Sequence, residues 1–133
     1  MRLLFAISAL TMMTGCASGV SQGEPDVSLV MNGSYEANAE CVVSAMRRDP
    51  AAAKCGPAHL HYEKFETVGE AVVSCRSETI FGASSATAYT IAFTQADERQ
   101  SRVEIWQFST IPGVKKYSEV VLPFVQNCSM END

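Results

Sequence analysis

The sequence predicts a two-layer α+β domain over residues 34–133, with an N-terminal helix, a four-stranded, mainly antiparallel sheet and a C-terminal helix. Three observations carry this expectation. Apolar residues in 34–49 recur at helical spacing. Four β-patterned segments follow, at about 58–66, 70–79, 86–95 and 101–108, and their short links favour antiparallel pairing. The stretch 114–128 is then apolar at helix-like intervals. Helix, strands and helix in that order place the helices against one face of a single sheet.

The chain opens Met1-Arg2-Leu3-Leu4-Phe5-Ala6-Ile7 and continues through small and apolar residues to Met13-Thr14-Gly15-Cys16. A positive start, a short apolar run and a small-residue exit are the outline of a secretory signal over residues 1–15. Its ending resembles the lipobox of bacterial lipoproteins, with Met13 where leucine is commonest. The resemblance covers residues 1–16 alone. It implies that Cys16 becomes the acylated first residue of the mature chain. Each buried methylene of such an anchor contributes about 0.8 kcal/mol. In this class an aspartate after the cysteine marks inner-membrane retention. Ala17 stands there, which implies the outer membrane, with the domain facing the periplasm. No other segment reaches the ~18 apolar residues of a transmembrane helix.

Residues 16–33 are expected to form the lipidated cysteine and a flexible tether. The first ten residues after Cys16 are mostly small and polar and include Gly and Pro. A coil of about 16 residues spans roughly 20–24 Å, which keeps the domain close to its membrane. Residues 27–31 are apolar and read equally as a short edge strand or as the docked end of the tether.

Ser34 is placed to cap the first helix, with Tyr35, Ala39, Val42, Val43 and Met46 on one stripe. Arg47 and Arg48 suit the negative end of its dipole, and Pro50 stops it. The strand candidates turn at 67–69 and 96–99. In the third, Tyr89, Ile91 and Phe93 face one way and Ala88, Thr90 and Ala92 the other. In the fourth, Val103 and Ile105 oppose Arg102, Glu104 and Trp106. Pro123 predicts a break near Leu122 in the last helix.

Removal of residues 1–15 leaves 118 residues, with nine basic against 15 acidic side chains and a formal charge of −6. That length suits one domain with a real core. A mildly acidic surface argues against nucleic acid as a partner. Besides Cys16 the chain holds Cys41, Cys55, Cys75 and Cys128. Four cysteines in an exported chain predict two disulfides. Spacings of 14, 20 and 53 residues lack the close pairs of a zinc site. Three pairings are open. Cys41 falls nearly opposite the apolar stripe, away from a sheet beneath it, which favours Cys41–Cys55 with Cys75–Cys128.

His59-x-His61-x-Glu63 is the one metal-like spacing, because alternate strand residues share a face. The competing expectation is a solvated face with Leu60 and Tyr62 turned inward. Both histidines of the chain lie there, and residues 82–86 do not resemble a nucleophile elbow. Neither an enzyme nor a cofactor is expected. Trp106 and Phe108 share the face of Arg102 and Glu104, so an indole on the open side of the sheet is a candidate partner anchor. The expectation is an envelope lipoprotein that serves as an interaction or accessory module of an envelope complex, held to the membrane by its lipid. The alternative is metal or small-ligand binding through His59, His61 and Glu63.

Overall fold

A computed structural model of the chain describes residues 23–77, 86–107 and 117–131. Along the chain run β1 (Val27–Asn32), α1 (Tyr35–Arg48), α2 (Pro50–Ala53), β2 (Leu60–Phe65), β3 (Glu70–Ser77), β4 (Ala86–Gln95), β5 (Gln100–Gln107) and α3 (Tyr117–Glu131). The strands form one antiparallel sheet in the order β1-β5-β4-β3-β2. The fold is α+β, with five strands where four were expected. The additional strand is β1, the apolar patch that sequence left between strand and tether. It pairs with β5 from Val27↔Ile105 to Asn32↔Gln100, so the sheet begins inside the stretch assigned to the tether.

Helix α1 starts where its cap requires. The Ser34 hydroxyl accepts from the Ala37 N–H at 3.1 Å, and the Gln95 side-chain carbonyl takes the Tyr35 N–H at 3.0 Å. Two of the orphan donors of the first turn are thereby satisfied. The expected stripe is the buried one: Ala39, Val42 and Met46 are fully enclosed, and Tyr35 and Val43 nearly so. Asp49 closes α1 through its own N–H. Its carboxylate then caps α2 by accepting from the Ala52 N–H at 3.2 Å, with Pro50 at the first turn.

The core lies between the helices and the sheet face bearing Val73, Tyr89, Ile91, Phe93, Val103 and Ile105. The Tyr89 hydroxyl donates to the Ala53 carbonyl at 3.0 Å, which ties α2 to the middle of the sheet. Burial, and Tyr117 beside it, push the Tyr89 pKa up. Asn38 is buried on the same side. Its amide donates to Ser101 Oγ at 2.7 Å and to the Asn32 carbonyl at 3.1 Å, joining α1 to β5 and the end of β1. Between β2 and β3 a single 3₁₀ turn, Glu66–Val68, ends on Gly69 at φ 64°, a left-handed geometry that glycine adopts without strain.

Two expectations about the helices are corrected. Helix α3 runs through Pro123 with no break at Leu122. Pro123 is exposed, while Val121 and Val125 are fully buried on either side of it and Cys128 is anchored beyond. Packing on both sides of the missing hydrogen bond holds the helix together. The disulfides also differ in pairing from the favoured one: they are Cys41–Cys128 and Cys55–Cys75. Cys41 does point away from the sheet, but α3 lies alongside α1 and brings Cys128 to it. Cys75 lies on the helix-facing side of β3, where the residue after α2 and its turn, Cys55, reaches it.

Candidate functional site

The face of the sheet turned away from the helices carries the features left unexplained by the core. On β3 it presents Glu70, Val72, Ser74 and Arg76. Across β2 they meet Phe65, Glu63 and His61, and across β4 Thr94, Ala92 and Thr90. A β-bulge between Cys75 and Arg76 changes this alternation at one end: Cys75 pairs with Tyr89, but Arg76 pairs with Thr87. Ala88, expected on the open face, is the extra residue and packs against the core. The bulge therefore sets a threonine hydroxyl opposite Arg76 where simple alternation would have set an alanine methyl.

Part of this face lines an open cavity of about 170 Å³. Ser74, Thr87, Thr90, Arg76 and Glu63 form its polar part, and Phe65 and Val72 its apolar part. Arg76 Nη2 stands 3.4 Å from a Glu63 carboxylate oxygen, and both side chains are more than a third exposed. Such a pair contributes little. The Arg76 Nε is buried and without a hydrogen-bond partner, as are His61 Nε2 and Glu70 Oε1 on the same face; Tyr62 and Gln107 hold two more such atoms elsewhere. Glu70 is 7% exposed. Its burial, and then the nearby Glu104 carboxylate, raise its pKa above the ordinary glutamate value.

The metal-like trio is not assembled. His59 lies in the turn before β2, with its N–H donating to the Gly56 carbonyl, while Glu63 pairs with Arg76. Among the described residues no group of three His, Cys, Asp or Glu side chains is placed to hold a metal ion. The strand expectation of a partly solvated face, with Leu60 and Tyr62 on the core side, describes β2 instead.

Trp106 lies on the open face as expected, opposite Thr90, but its ring is only 7% exposed. Its indole N–H donates to the Gly23 carbonyl at 3.2 Å. Asp26 pins the same stretch to the end of β5: its N–H donates to the Ile105 carbonyl at 2.8 Å, and its carboxylate accepts from the Gln107 N–H at 2.7 Å. The expected exposed anchor is thus covered, because the segment entering β1 docks over the end of β5. Cys16 and Phe108 lie outside the described residues.

Sequence reasoning missed Asn38, Glu70 and the role of Arg76. A polar residue on an apolar stripe signals Asn38, but nothing local signals Glu70 or the bulge. Among the described residues no helix is long and apolar enough to cross a membrane. No protein-family model, curated protein or solved structure matches the chain.

Proposed function

We propose that the chain is a lipoprotein of the bacterial cell envelope, anchored by acylated Cys16 to the outer membrane and facing the periplasm. Its α+β domain serves there as an interaction module of an envelope complex. The observation that carries the reading is Met13-Thr14-Gly15-Cys16 directly behind an apolar run with a positive start. Two disulfides in the domain support export to an oxidising compartment.

With Trp106 covered, β1 is the favoured contact edge. It ends the sheet, carries no charged residue from Val27 to Asn32, and leaves Val30 51% exposed. The opposite edge, β2, is instead studded with charge, with Lys64 reaching Glu36 and Glu66 at 3.6 and 3.2 Å. Charged edges resist strand addition and uncharged ones accept it. The partner is accordingly an envelope protein that adds an extended segment beside β1. Photo-crosslinking in intact cells tests this, with the reactive residue at Val30 or at Lys64. A discrete adduct from Val30 alone is expected. Identical adducts from both positions, or none from Val30, contradict the reading.

A further inference from the structure

We propose that the cavity over β2, β3 and β4 binds a small organic carboxylate, with its acid group at Arg76 and a compact apolar body against Phe65 and Val72. The inference does not depend on lipid anchoring or on the β1 edge.

The donors are arranged for a singly charged, planar anion. A guanidinium offers a rigid fork of N–H groups that matches a carboxylate. In Arg76 that fork is half used: Nη2 meets Glu63 at 3.4 Å, and Nε is buried with no partner. Buried donors are ordinarily satisfied, so an unmet one on a side chain that lines a cavity calls for an acceptor. Ser74 and Thr90 bring hydroxyls to the same cavity, and the bulge brings that of Thr87 opposite Arg76. Bulges beside binding sites commonly re-aim a side chain in this way.

Charge and size narrow the ligand further. Among the described residues Arg76 is the one cationic residue lining the cavity, and Glu63 lines it too. A dianion such as phosphate would meet an uncompensated carboxylate, whereas a monoanion can take Glu63's place on the fork. Glu63 can yield that place, since its side chain is 56% exposed and turns readily to solvent. The volume of about 170 Å³ suits a body the size of one six-membered ring. Phe65 and Val72 supply the apolar wall for such a body.

Isothermal titration of the detergent-solubilised full chain with cyclohexanecarboxylate tests the site, with cyclohexanecarboxamide as the neutral control. Saturable binding of the acid and none of the amide is expected. Arg76→Gln should weaken binding about tenfold or more, as loss of a charge-assisted hydrogen bond requires. Glu63→Gln should tighten it about two- to fivefold by removing a competing carboxylate. Absence of saturable binding by the native chain, equal binding of the amide, or unchanged affinity in Arg76→Gln overturns the proposal. Circular dichroism checks that Arg76→Gln is folded. Should it not fold, Glu63→Gln decides: tightening supports the site, and unchanged or weaker affinity overturns it.

Discussion

Trp106 packs on the side of β5 away from the helices, and Gly23 accepts its indole N–H. Truncation removes a large buried ring and orphans that carbonyl. Trp106→Ala should therefore destabilise the domain by about 3–5 kcal/mol, read from chemical denaturation. A loss within about 0.5 kcal/mol, the range of ordinary surface substitutions, would mean that the ring is dispensable to the fold. Sequence placed the indole on the correct face but left it exposed, because its cover comes from Gly23, 83 positions away in the chain. Asn38 stands out locally as a polar residue on an apolar stripe, but its partner Ser101, 63 positions off, does not. Glu70 makes a pH-dependent prediction. Burial and Glu104 raise its folded pKa, so the folded state keeps a proton that the unfolded state releases. Stability from this group is full below the unfolded glutamate value of about 4.3 and is lost as pH rises through the raised folded value. Glu70→Gln removes that loss. Its melting temperature relative to the native chain should rise between acid and neutral pH, and an offset independent of pH would contradict the assignment.

Among the elements, sequence misjudged the continuity of α3 and left β1 undecided between strand and tether. The rule that an interior proline breaks a helix is local, whereas Val121, Val125 and the Cys128 bridge are tertiary. The cost of the proline is still present. Pro123→Ala restores an N–H that can bond to the Glu119 carbonyl one turn earlier, and should stabilise the domain by about 1–3 kcal/mol in denaturant melts. The disulfides were countable from sequence, but their pairing depended on where α3 lies, which no local pattern reveals. Peptide mapping under non-reducing conditions should link Cys41 to Cys128 and Cys55 to Cys75. The two bridges span 87 and 20 residues. Chain entropy then assigns about 4–5 kcal/mol to the first and about 3 kcal/mol to the second. Replacing Cys41 and Cys128 together by serine should cost more than replacing Cys55 and Cys75, and the reverse ranking would count against an entropic origin. Four of the five strands among the described residues were legible to within about two residues, because alternation and turn residues are local signals. The bulge was not, so Arg76, Thr87 and the cavity between them went unseen.

At the scale of the whole molecule, the α+β layering follows from the order of its patterned segments, and the structure bears it out with β1 as an added edge. That strand also alters the geometry of anchorage. Residues 23–26 are fastened to β5, so at most about 25 Å of extended chain separates Cys16 from Gly23. A lipid at Cys16 would hold the domain close to the bilayer. Sequence suggested an address and no reaction, because the one resemblance it offers covers residues 1–16 and the remaining patterns are those of a core and its turns. Acylation at Cys16 is therefore the step on which the proposed anchorage depends. Metabolic labelling with a clickable fatty-acid analogue, comparing the native chain with Cys16→Ser, tests it most directly. The native chain should take up the label and fractionate with outer membranes, while Cys16→Ser should take up none. Equal labelling of the two, or an unlabelled native chain, would contradict the account.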